Sequence, residues 1–149
     1  MKHFRWIAVA AMLTASSSAF AVDDEVTPDN AANPDFLAAK ALVDSGLYDT
    51  AMPKLTALDR ATPDNPDILN LIGFSLRKTG HPDQALNYYS RALAQDPDHL
   101  GANEYLGELY LELKQPAKAE DRLAVLQRAC GDCEEYRELK EKIEQQAAN

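Results

Sequence analysis

The chain has 149 residues, 46% of them hydrophobic, and a formal charge of −9. That length allows one domain, and that hydrophobic content is ordinary for a globular protein. The negative charge argues against nucleic acid and anionic membrane as partners.

The chain opens with a basic start at Lys2 and Arg5, an apolar run of ten residues over 6–15, and a small-x-small site at Ala19 and Ala21. This three-part layout is that of a secretory signal peptide over 1–21, cleaved after Ala21. A membrane anchor is the weaker reading, because the run is far short of the ~20 residues that a span needs. Lys2 and Arg5 are the only charged residues before Asp23, so cleavage takes the charge from −9 to −11. In a Gram-negative source the mature protein is expected in the periplasm. Residues 22–31, VDDEVTPDNA, are acidic and lack periodicity, which predicts a flexible linker.

Amphipathic helices follow in order. Asn33 and Pro34 read as a cap and a first-turn proline for a helix over 34–45, which Gly46 ends. The second helix covers 48–60, with Pro53 near its start. Asn65 and Pro66 open the third, and Gly80 closes it. The fourth covers 82–95, the fifth 99–113 and the sixth 116–129. Asp132 and Glu135 have the spacing of a capping box for a seventh. There Tyr136, Leu139, Lys140 and Ile143 share one face, and Glu138, Glu141, Lys142 and Gln145 share the other.

A shift of 34 residues superimposes these helices in pairs. Gly80 maps to Gly46, Ala85 to Ala51 and Ala119, Gly73 to Gly107, Ile72 to Leu106, Tyr89 to Leu123, and Pro97 to Pro63. The copies are 32–65, 66–99 and 100–133. Small residues at Gly73, Ala85, Gly107 and Ala119 suit a close approach of two helices. In the other direction, Lys114 stands where the turn glycine is expected, and Asp35 and Asn103 stand in the apolar slot of Leu69. The period and its helix–turn–helix unit resemble the tetratricopeptide repeat (TPR) family. The resemblance implies an all-α, right-handed α-solenoid of three helix pairs. A helix over 134–149, polar on its outer side, would cap it.

Motifs for chemistry are scarce. Cys130 and Cys133 read as a structural disulfide, as expected for an exported protein with two cysteines. A thiol–disulfide redox pair is the alternative. It lacks a strand–helix context, and neighbouring Asp132, Glu134 and Glu135 disfavour a thiolate. Zinc would need two more ligands, and His81 and His99 belong to distant turns, where surface or capping roles are expected. Glu104 and Glu108 lie i, i+4 on one helix and read as a solvated face rather than an acid/base pair. No nucleophile elbow, zinc-protease helix or phosphate loop is present. No cofactor, no metal and no enzymatic activity are expected.

The TPR resemblance implies that the first helix of each pair lines a concave groove that binds a protein or peptide. The residues placed there are Phe36 and Lys40 from the first copy, Asn70, Phe74, Arg77 and Lys78 from the second, and Glu104 and Glu108 from the third. The groove is thus expected to be basic and aromatic in the middle and acidic at one end, with Phe74 as an exposed anchor. The glutamates stand where a terminal-carboxylate clamp needs positive charge, so that specialised activity is not expected. The function expected is an exported protein–protein interaction module. The alternatives are the redox protein and a structural subunit of a cell-envelope assembly.

Overall fold

The structure, a computed structural model, describes residues 28–148. The expected signal peptide and the first part of the acidic linker lie outside the described residues. After a single helical turn, α1 (Pro28–Ala31), come α2 (Pro34–Asp44), α3 (Tyr48–Ala61), α4 (Pro66–Lys78), α5 (Pro82–Gln95), α6 (Leu100–Glu112), α7 (Pro116–Ala129) and α8 (Glu134–Ala147). No strand is present among the described residues. Three helix pairs, α2/α3, α4/α5 and α6/α7, stack in sequence. The first helix of each pair packs on both helices of the pair before it. The fold is an all-α solenoid.

The caps explain where the helices begin. The Asn33 side chain accepts hydrogen bonds from the Asp35 and Phe36 amides at 3.0 and 3.3 Å, and that of Asn65 accepts one from Ile68 at 3.2 Å. Each cap satisfies donors that the first turn leaves without an intrahelical acceptor. The helix hairpins turn on residues in the left-handed region: Gly46 at φ 73°, Gly80 at φ 82° and, in the third pair, Lys114 at φ 60°. A side chain there crowds the following carbonyl, at a cost of about 1–2 kcal/mol. Lys114→Gly is therefore expected to raise stability by roughly 1 kcal/mol, read as a higher urea midpoint with an unchanged slope.

Within the middle pair, Gly73 lets α4 and α5 approach. A Cβ on Gly73 would lie 2.8 Å from Cδ1 and Cε1 of Tyr89, which is fully buried. Gly107 makes its close approach elsewhere, because a Cβ there would lie 2.5 Å from Cδ2 of Leu139 in α8. Its small size serves the last helix rather than its own hairpin. Helix α8 runs beside α6 as α6 runs beside α4. It stands where the first helix of a fourth repeat would stand, and Leu139 closes a cluster with Leu111, Ala119 and Leu126.

Two local expectations are corrected. The linker reading fails over its last four residues, because Pro28–Ala31 is helical and Asn30 is buried. Asn30 donates to Asn65 at 2.8 Å and to Asp67 at 2.7 Å, so the lead-in is tied to the start of α4. At the other end, Asp132 does not cap α8. The cap residue is Cys133, bonded to Cys130 at the end of α7, and Asp132 lies one residue outside the helix. Arg137 donates to the Asp132 carbonyl at 2.6 Å instead.

Candidate functional site

The residues expected in the groove fall into two groups. Phe36, Asn70, Arg77, Glu104 and Glu108 are all buried, at 8% exposure or less. Phe36 belongs to the core that α2, α3 and α4 share. Lys40 and Phe74 are half-buried, and Lys78 is exposed. The expectation of a solvated face at Glu104 and Glu108, and of free charge at Arg77, is therefore corrected. The basic middle and the acidic end meet each other.

Arg77 is the hub. Its guanidinium bonds to Glu108 and, at 3.0 Å, to Glu112. It also stacks over the rings of Phe74 and Tyr105, 5.6 and 5.8 Å from their centroids. Lys142 of α8 bonds to Glu108 from the other side and lies 3.9 Å from Glu104 and 3.4 Å from Glu138. Burial alone would raise the Glu108 carboxyl, but Arg77 and Lys142 outweigh it and hold it below its ordinary value. Glu104 has only the more distant Lys142 to lower it, which does not suffice. Burial first, then the neighbouring Glu108 and Glu138, push it up to about 10, so it keeps its proton at neutral pH. Oxygens of Glu104, Glu108 and Glu138 come within 4.8 Å of one another, and the Lys142 ammonium supplies the positive charge they need. The carboxylates form a structural ion network, and an acid/base pair open to substrate is not what the geometry presents.

What reaches the surface is an aromatic strip of the half-buried Phe74 and Tyr48, backed by the buried Tyr105. Phe74 packs edge-on to Tyr48, with centroids 6.0 Å apart, and against Tyr105 at 4.7 Å. The exposed Lys78 ammonium lies 5.1 Å from the Phe74 centroid, within cation–π range. Tyr48, Tyr105 and Lys142 were not among the residues placed in the groove from sequence. A signal for Lys142 exists: it follows Glu108 by 34 residues, one repeat length.

A second polar node lies at the opposite ends of the same helices. The His99 Nδ1 accepts from the Ala102 amide at 3.1 Å and so caps α6, which leaves its Nε2–H to donate to Asp67 at 3.1 Å. His99 thus caps, as expected, but it is buried and not a surface residue. Cys130 and Cys133 are joined as a disulfide, with Cα atoms 5.7 Å apart, between the end of α7 and the start of α8. Neither sulfur is a free thiolate, so the nearby Glu135 completes no metal set with them.

Stacked helix hairpins with small residues at the close contacts define an α-solenoid of repeats. Residues 76–143 match the family model described as tetratricopeptide repeat. The matched stretch resembles tetratricopeptide repeats in sequence, and the fold is that of an all-α TPR solenoid. Similar solved structures include the Sgt2 TPR domain from Aspergillus fumigatus, at 18% identity and TM-score 0.69, covering 82% of this chain and 81% of that one. The type III secretion chaperone SycD of Yersinia enterocolitica, in complex with a peptide of the translocator YopD, matches at 21% identity and TM-score 0.63, covering 75% and 86%. A tetratricopeptide repeat protein from Parabacteroides merdae matches at 22% identity and TM-score 0.64, covering 81% of this chain and 49% of that one. No curated protein matches the sequence. The family model reaches into α8, in accord with its place as the first helix of a further repeat.

Proposed function

We propose that the protein is an exported, non-catalytic interaction module that binds a peptide or protein segment on its aromatic strip. The observation that carries this is the arrangement at Phe74: a half-buried ring between Tyr48 and Tyr105, with the exposed Lys78 above it. Aromatic side chains beside a cation suit a segment with an apolar anchor followed by an acidic residue. The buried pairing of Arg77 with Glu108 removes these two charges from recognition, so the selection of peptide orientation by them falls away. The exposed Lys78 carries the electrostatic preference. The co-structure of SycD with a translocator peptide is support by analogy of fold.

Cleavage after Ala21 and a periplasmic location belong to the same reading. N-terminal sequencing of the exported protein is expected to begin at Val22, and retention of Met1 would refute export by cleavage. Crosslinked capture from the native compartment should return one main partner. Phe74→Ala is expected to weaken its binding by more than ~1 kcal/mol, with the helical circular dichroism intact. Because Phe74 also packs on the core, the exposed Lys78→Glu is the matched control for folding. Capture that survives both changes would place binding on another surface.

A further inference from the structure

Asn30 ties the lead-in to the head of the aromatic strip. It is buried, and it donates to Asn65 at 2.8 Å and to Asp67 at 2.7 Å, at the first turn of α4. Asp67, Phe74 and Lys78 stand at i, i+7 and i+11, which return to one line of the helix within about 40°. Along α4, Phe74 lies about 10 Å and Lys78 about 16 Å from Asp67. The segment before Pro28 is thus tethered at the start of the line that carries the strip.

Of the cations on this side, Lys78 alone is left to recruit an anion. Arg77 is taken up by Glu108 and Glu112, and Lys40 by Asp44. Lys78 is exposed, lies over the Phe74 ring, and makes no ion pair among the described residues. Moving away from Asn30, the strip therefore presents an apolar ring and then an unpaired ammonium.

The sequence before Pro28 carries the complementary groups in the same spatial order. Counted back from Pro28 it reads Thr27, Val26, Glu25, Asp24 and Asp23. The helical turn from Asn30 to Pro28 spans about 3 Å. Each extended residue beyond it adds at most about 3.3 Å, so Val26 reaches about 10 Å and Asp24 about 16 Å. Those are the distances of Phe74 and Lys78.

We propose that residues 22–27 dock along the strip of their own chain, antiparallel to α4, with Val26 on Phe74 and with Asp24 and Glu25 facing Lys78. The lead-in then competes with any external segment for the same surface, a role that rests on the reading of the strip as a binding surface. Weak contacts suffice, because so short a tether holds the segment at an effective concentration of roughly millimolar.

Paramagnetic broadening tests the docking. A nitroxide is placed on Asp23→Cys in the purified protein, whose own two cysteines are joined as a disulfide. The amide resonances of Phe74 and Lys78 are expected to lose most of their intensity, and that of Arg128, at the far end of α7, to keep it. Lys78→Glu removes the broadening, and adding Asp24→Lys with Glu25→Lys restores it. Broadening that is absent at Phe74 and Lys78, or that survives Lys78→Glu, overturns the proposal. Competition is read with a synthetic peptide, VDDEVT, titrated against the Phe74 amide. It binds the Asp24→Asn, Glu25→Gln variant at least about threefold more tightly than the parent, because the site is no longer occupied. Equal affinity overturns the competing role. The two readings fail separately: partner capture lost in Phe74→Ala without broadening at the strip ends the docking and keeps the strip, and broadening with capture unchanged in Phe74→Ala does the reverse.

Discussion

Glu108→Ala is expected to cost about 3 kcal/mol, because it leaves the buried Arg77 guanidinium with only the exposed Glu112 and takes from Lys142 its closest partner. Arg77 is 7% exposed and Glu108 8%, so water does not replace the lost contact. Chemical denaturation of the two single variants and the double, Arg77→Met with Glu108→Met, separates the pair from its surroundings. The double variant should cost much less than the sum of the singles. A cost below ~1 kcal/mol for Glu108→Ala would mean that the network is screened like a surface pair. The pH dependence has a definite sign. The folded-state value of Glu108 lies below its unfolded one, so its contribution is complete above the ordinary carboxylate range and is lost as pH falls through the folded value. Glu104 runs the other way. Its folded value is raised to about 10, so its contribution fades as pH rises from the unfolded value toward that number. Glu104→Gln is expected to flatten that alkaline loss.

Gly73→Leu is the second large effect. Even the first added carbon would sit 2.8 Å from two ring atoms of Tyr89. That ring is fully buried, so it has no free space to move into. Overpacking of this kind costs about 1–3 kcal/mol or more, and Gly73→Ala should already show part of it. Gly107→Ala makes the matching test at α8. The atoms it meets are the methyl ends of Leu139, which rotate more easily than a ring, so a smaller loss is expected. An unchanged melting temperature in Gly73→Leu would contradict the close contact of α4 and α5.

The helices, their turns and their solenoid arrangement were legible because each depends on local signals repeated at a fixed spacing. Asn33 and Asn65 cap, Pro34, Pro66, Pro82 and Pro116 open helices, and Gly46 and Gly80 close hairpins. The groove residues were harder to read. A helical wheel for α4 or α6 alone gives the face of Arg77 or Glu108, but it does not say what stands beside that face. In a solenoid the neighbour is one repeat away. Arg77 with Glu112, Glu108 with Lys142, and Asp67 with His99 are separated by 35, 34 and 32 residues. Opposite charges at about one repeat length would have marked Arg77 and Glu108 as partners of each other. Lys142 was hidden further, because its wheel position groups it with the solvent face of α8. Its long stem carries the ammonium back to α6.

The unequal covering of the helices also sets the order in which the molecule opens. Ten of the thirteen residues of α4 are buried, and ten of the thirteen in α6, against three of the eleven in α2. In a stack where each unit touches only its neighbours, opening starts at the less protected ends and travels inward. Amide exchange should therefore be fastest in the end helices α2 and α8, where three of eleven and two of fourteen residues are buried, and slowest in α4 and α6, whose opening requires nearly global unfolding. The tie from Asn30 to Asn65 and Asp67 spans that first unit from outside. It works as a latch across the fraying end, and Asn30→Ala should speed exchange in α2 while leaving α6 unchanged.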